Sequence, residues 1–221
     1  MGLPPVIKCF RYSNKRRAEG IIKDREKVKK IAAYGLSIFL FAAYIGILFS
    51  ARNPQVSLEY RMYYIEHTLD AWPGNGGLLY ILGTKETFSL SPREPGALNR
   101  VMEGWSFREE SGRWTQGNRA SVLYIFPEKI EVDLVLEMEV VQYMQGVSAE
   151  VYANDQWIGR MDEETGKQFS IPIPKEYLKT DTLVLSFHIE NPVSLAEMGL
   201  ASDDRAPGIM MGSALINRRI P

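Results

Sequence analysis

Two tryptophans, two glutamates and two arginines crowd one short stretch of this sequence: Trp105, Glu109, Glu110, Arg113, Trp114 and Arg119. Those types suit sugar recognition. An indole face packs on the C–H surface of a pyranose, while carboxylates and guanidinium groups hydrogen-bond its hydroxyls. A planar guanidinium also holds a carboxylate or phosphate substituent with two parallel bonds. Trp105, Glu109, Arg113, Trp114 and Arg119 are therefore the candidate glycan contacts. The competing reading makes the stretch a fixed turn, with Trp114 in the core and Arg113 tied to Glu109. A second polar group, Asp203, Asp204 and Arg205, reads as a salt-bridged loop; a calcium site is its alternative, because that ion takes carboxylate and carbonyl oxygens.

Catalytic patterns are sparse. The two histidines, His67 and His188, are far apart in sequence and have no metal-ligand spacing. No Ser-centred nucleophile elbow is present. The single cysteine, Cys9, lies in the basic N-terminal region, so no disulfide framework is expected. Glu109 and Glu110 would have to converge on one glycosidic bond to act as acid and base, and adjacent strand residues point to opposite faces. The expectation is a protein that is not an enzyme, with no cofactor apart from the calcium alternative.

These residues must be positioned by what lies around them, and the chain is strongly partitioned. Residues 1–30 carry ten Lys/Arg and three acids, while residues 51–221 carry 16 basic and 24 acidic groups. Between them, Ile31 to Ser50 contains no charge. Twenty residues at about 1.5 Å each span about 30 Å, the thickness of a hydrocarbon core. A cleaved signal peptide has a shorter apolar core and a brief basic region. The sequence therefore predicts a basic cytoplasmic tail (1–30), a single transmembrane helix (31–50), a juxtamembrane linker with a short helix (51–77) and an extracytoplasmic β-domain (78–221). Arg25 to Lys30 extend the membrane helix by a turn or two. The positive-inside rule places the N-terminus in the cytoplasm and the β-domain in the periplasm or outside the cell. The expected partner of the tail and span is a lipid bilayer, and no nucleic acid partner is expected.

From about residue 78 the hydrophobic period becomes two. Ile130, Val132, Leu134, Leu136, Met138 and Val140 alternate with mostly acidic neighbours. Residues 147–153 and 182–189 repeat the pattern, with a turn at Asn154-Asp155. Further strands are expected near 79–90, 98–103, 119–126, 156–161, 167–172 and 208–218. The fold class is mainly β, a jelly-roll-like β-sandwich preceded by one transmembrane α-helix. Glu131, Asp133, Glu137 and Glu139 are expected on a solvated sheet face, and His188 on the outward face of its strand. In the linker, Tyr60, Tyr63 and Tyr64 suit either a membrane interface or simple packing on the domain.

Two stretches carry a family resemblance. One is Gly104-Trp-Ser-Phe-Arg-Glu-Glu-Ser-Gly-Arg-Trp-Thr-Gln-Gly117; the other runs from Ile189-Glu-Asn-Pro-Val to Asp204-Arg-Ala-Pro-Gly-Ile209. Together they resemble the C-terminal β-sandwich of bacterial phosphoglycerol transferase I, a domain also appended to glycosyltransferases of envelope-polysaccharide synthesis. Glu109, Gly112, Arg113, Trp114 and Thr115 match the first motif, Asn154 the central hairpin, and Pro192, Gly199, Asp203, Arg205 and Gly208 the last. Arg108, Ser111 and Pro207 depart from it. The resemblance implies a jelly roll in a cell-envelope setting, without the catalytic domain of those proteins. The expectation that follows is a membrane-anchored, non-catalytic envelope protein. It would bind a polysaccharide or glucan, or support a membrane glycosyltransferase or phosphoglycerol-type transferase. The alternative is a structural subunit that binds protein and no sugar.

Overall fold

The structure, a computed structural model, describes residues 5–52, 54–74, 77–90, 100–200, 202 and 204–219, with the side chains of its first helix described at Arg25 and from Lys27 onward. The chain divides into two compact units, Met1–Val56 and Ser57–Pro221.

The first unit is one continuous helix, α1 (Pro5–Arg52). It starts well before the expected 31 and before the extension expected from Arg25, so the helix continues through the basic region. From Lys27 to Arg52 it is long and apolar enough to cross a membrane, and no described side chain there is buried. A core helix of this composition would be covered by protein. The segment is either a membrane anchor or a signal sequence.

The second unit is a two-sheet β-sandwich. Its strands are β1 (Lys85–Thr87), β2 (Trp105–Arg108), β3 (Arg113–Gln116), β4 (Arg119–Ile125), β5 (Leu134–Tyr143), β6 (Ser148–Ala153), β7 (Gln156–Met161), β8 (Gln168–Ile173), β9 (Thr182–Glu190) and β10 (Pro207–Arg218). The larger sheet has the order β2-β3-β10-β5-β8, with β1 also on β10; the smaller has β4-β9-β6-β7. All strand pairs are antiparallel. From β3 onward the chain switches sheets in the double Greek-key pattern of a jelly roll.

Alternation builds the core. Leu134, Leu136, Met138 and Val140 of β5 face Val122 and Tyr124 of β4, Val151 of β6, and Leu183, Leu185 and Phe187 of β9. The expected strand at 130 begins only at Leu134, and Val132 is exposed. The expected strand over 79–90 contracts to β1, with a single bridge from Leu79 to Ile125. The region near 98–103 contributes a bridge, Val101 to Val122, rather than a strand. Its residues still line the outer edge of β4: Met102 N–H donates to Ser121 O and Ser121 N–H to Glu103 O.

The segment expected as a linker belongs to the sandwich unit. A helical turn (Leu58–Tyr60) runs into a π-turn (Arg61–Ile65). Its inner side carries Met62 and Tyr63 onto Leu69, Leu78, Leu123 and Ile125. Leu123 and Ile125 point away from the main core, so this segment covers one end of the smaller sheet's outer face.

Candidate functional site

The sequence-derived cluster does not assemble into one site. Trp105, proposed above as a sugar platform, is in the core: its ring stacks on Phe88 at 5.0 Å, meets Phe187 edge-on, and its Nε1–H donates to Ser121 O at 2.8 Å. Gly104 makes this possible. Its φ is +77°, and a Cβ there would sit on the Arg119 carbonyl. Arg113 is also buried, its Nε–H on Ser106 O (2.5 Å) and its Nη2 paired with Asp70. It is tied to Asp70, not to Glu109. Burial removes both residues from any glycan, because neither presents a face to solvent.

The remaining members separate. Glu109 and Glu110 are exposed in the turn joining β2 to β3, where Glu109 N–H donates to Gly112 O. Trp114 is half-buried on the larger sheet, cross-strand from Met210. Arg119 is on the smaller sheet. In the loop before β10, Asp204 and Arg205 are exposed, and Asp203 lies outside the described residues. Among the described residues no group of three His, Cys, Asp or Glu side chains could hold a metal ion. That same loop contains a reciprocal cap: Ser194 N–H donates to Glu197 Oε2 and Glu197 N–H to Ser194 Oγ, which holds the Glu197 carboxyl below its ordinary pKa.

What the fold does assemble is the open part of the smaller sheet's outer face. Register sets two rows across four strands. One reads Ser121, Ser186, Tyr152, Trp157; the other reads Arg119, His188, Glu150, Arg160. Trp157 is 55% exposed on β7, directly across from Tyr152. The Tyr152 and His188 rings stack with centroids 4.3 Å apart. Tyr152 O–H donates to Glu150 Oε2 at 2.8 Å, and that bond raises the phenol pKa. His188 thus faces outward, as alternation requires, but it packs on a tyrosine.

Both guanidinium groups on this face are already engaged. Arg119 Nε lies 3.4 Å from Glu103, and its Nη2 lies 3.8 Å from Asp155. Arg160 Nη2 pairs with Glu190 at 2.9 Å and donates to Ser148 Oγ at 2.9 Å, while its Nε reaches Asp162 at 3.4 Å. Ser148 O–H donates to Glu190 at 2.5 Å. The carboxylates of Glu103, Glu150, Asp155, Asp162 and Glu190 outnumber the two arginines, so the face carries net negative charge. An anionic substituent, one of the ligands the arginines suggested, meets repulsion here.

The face also has a defined edge. β6 and β7 join at Asn154 (φ +47°) and Asp155 (φ +63°), the double positive φ of a type I′ hairpin. The Asn154 amide donates to Tyr177 O and Thr182 O, and its Oδ1 accepts from Val184 N–H. One side chain therefore holds the hairpin against β9.

A cleft of about 1020 Å³ opens elsewhere on the sandwich, between Ile81, Phe126, Pro127, Ile130 and Arg218. Its walls mix Leu82 and Val135 with Glu128, Glu137, Asn217 and Arg219, and among the described residues its one aromatic ring, Phe126, is buried and presents no face to solvent.

No protein-family profile matches the sequence, and no curated protein matches it. The resemblance to the phosphoglycerol transferase I domain therefore rests on the quoted motifs. Solved structures do show a likeness. A family 35 carbohydrate binding module from an environmental isolate aligns with TM-score 0.32 and 13% identity, over 63% of this chain and 89% of that one. Xylanase10C of Cellvibrio japonicus, a mutant in complex with xylopentaose, aligns with TM-score 0.35 and 13% identity, over 64% of this chain and 28% of that one.

Proposed function

We propose that this chain is a non-catalytic, membrane-anchored envelope protein whose sandwich binds a neutral glycan on the outer face of the β4-β9-β6-β7 sheet. The observation that carries the reading is the Trp157–Tyr152 pair. A half-exposed indole on the edge strand β7, directly across from a phenol that donates to Glu150, keeps an aromatic face open to solvent. Rigid strands fix the spacing of these groups, which lowers the ordering cost on binding.

The proposed chemistry is division of labour. Trp157 supplies an apolar plane for a pyranose C–H face. The partly exposed carboxylates of Glu150 and Glu190 offer acceptors to hydroxyls, while the buried Ser148 and Ser186 hydroxyls brace the arginines and Glu190 from below. The arginines orient those carboxylates rather than capturing an anion. The α1 helix acts as an anchor from a cytoplasmic N-terminus through the inner membrane and holds the sandwich in the periplasm or outside the cell, where glycan polymers emerge. A membrane glycosyltransferase or phosphoglycerol-type transferase is the proposed partner in the same pathway.

A glycan array probed with the full chain in detergent tests this. Signal on neutral oligosaccharides, weakened in Trp157→Ala and absent from polyuronates and phosphorylated glycans, supports the reading. No glycan signal from a folded sample returns the protein to the alternative, a subunit that binds only protein.

A further inference from the structure

Four aromatic rings gather on the segment that precedes the sandwich. Tyr60 and Tyr64 lie 4.7 Å apart, Tyr63 and Tyr64 4.8 Å, Tyr64 and Trp72 5.5 Å, and Tyr63 and Trp72 5.9 Å between centroids. Tyr63 and Met62 turn inward to the Leu123–Ile125 cluster. Leu58, Tyr60, Tyr64, Ile65 and Trp72 turn outward, each between 37% and 52% exposed. The molecule therefore keeps an apolar and aromatic patch in the open, where burial of each such side chain would favour association.

Chain length says what can cover it. Leu58 is six residues beyond Arg52, the end of α1. At about 3.4 Å per residue it lies within about 20 Å of the helix end. The interfacial layer beside a hydrocarbon core is about 5–8 Å thick on each side, and it is the layer in which Tyr and Trp concentrate, their rings among acyl carbons and their polar tips in water. Charge does not redirect the choice. Arg61 stands between Glu59 and Glu66, so the patch makes no demand for anionic lipid.

We infer that the patch Leu58, Tyr60, Tyr64, Ile65 and Trp72 is an interfacial foot that lies in the headgroup region of the bilayer crossed by α1. The inference rests on α1 being a retained anchor rather than a cleaved signal. It goes beyond glycan binding: the foot would hold the sandwich at a fixed height above the membrane and fix which of its faces meets emerging polymer. A short tether alone would leave that orientation free.

The test uses the full chain with Cys9→Ser and one new cysteine, reconstituted in phosphatidylcholine nanodiscs. An environment-sensitive fluorophore is attached at Ile65→Cys, at Leu58→Cys, at Phe107→Cys on β2 as a solvent control, or at Ile38→Cys within the span. Headgroup-labelled and chain-labelled nitroxide lipids serve as quenchers. The expected result is headgroup quenching at positions 58 and 65 at least about threefold above position 107, unchanged by high salt, as for groups about 5–10 Å into the interface. Deep quenching at 38 with equal, water-like signals at 58, 65 and 107 overturns the foot and leaves the anchor standing. Absence of deep quenching at 38 overturns both. Labels at 58 or 65 that are shielded only after a membrane protein is added would assign the patch to that partner and overturn the lipid assignment. Near-UV circular dichroism of each labelled sample confirms that the sandwich is folded.

Discussion

The buried guanidinium of Arg113, at the start of β3, is paired with the carboxylate of Asp70, which lies 43 residues earlier in the chain. Asp70 is itself held by its backbone N–H on Val101 O. The pair thus ties the segment before the sandwich to the hairpin of the larger sheet. Removing one partner strands a charge in a poorly solvated place, whereas Asp70 keeps some water access, so the loss is smaller than for a wholly buried pair. Asp70→Ala should cost about 1–3 kcal/mol of stability. Chemical denaturation of the full chain in detergent, followed by near-UV circular dichroism, measures it.

Arg100 and Glu86 form a second, fully enclosed ion pair, with side chains 6% and 8% exposed. Arg100 Nη1 also donates to Gly77 O and Leu79 O, and its guanidinium lies over the Tyr80 and Tyr124 rings. Desolvation lowers the Arg100 pKa and raises that of Tyr124. Glu86→Gln should cost about 3–5 kcal/mol, because it leaves an uncompensated buried cation. The double variant Glu86→Leu/Arg100→Met should be more stable than either single variant. A double-mutant cycle from the same denaturation curves decides it.

Asn154 makes three side-chain hydrogen bonds to two other segments. Asn154→Gly retains the positive φ that the turn needs and removes all three bonds. The expected loss is about 2–4 kcal/mol. Faster amide hydrogen exchange should appear in β6, β7 and the start of β9 before it appears in β5 or β10.

Strong acid should loosen the Asp162 turn. Thr165 donates its hydroxyl and its backbone N–H to Asp162 Oδ1, both at 2.8 Å, and these bonds, with Arg160, hold the carboxyl below its ordinary value of 3.8. A depressed folded pKa contributes stability that is present above the unfolded value. It is lost as pH falls through the lower, folded value. The stability difference between the native chain and Asp162→Asn should therefore be constant above about pH 5 and shrink towards zero in stronger acid. Melting temperatures of both chains across that range check it.

The sandwich was legible where alternation is strict. The spacings at 134–140, 147–153 and 182–189 located β5, β6 and β9, and Asn154-Asp155 announced a hairpin whose two positive φ angles the structure confirms. The β2–β3 hairpin escaped, because Arg113 occupies an inward position that the pattern reserves for an apolar side chain. Its composition looked like a binding motif for the same reason: Trp105 and Arg113 are chemically versatile residues used here for packing and bracing. Trp157 escaped although the two-residue turn at Asn154-Asp155 sets it directly across from Tyr152; the register shift between Val151 and Tyr152 lies beyond that pair. Extending the outward phase of Glu150, Tyr152 and His188 across the hairpin would have been the available signal.

Isothermal titration of the full chain in detergent, with the strongest neutral oligosaccharide from the array, tests the glycan face most directly. The native chain, Trp157→Ala and Trp114→Ala are compared at equal melting temperature. Loss of a central aromatic anchor should weaken binding by about tenfold or more in Trp157→Ala, with Trp114→Ala within about twofold of native. Equal affinities for native and Trp157→Ala, or a loss confined to Trp114→Ala, would contradict the assignment of the β4-β9-β6-β7 face.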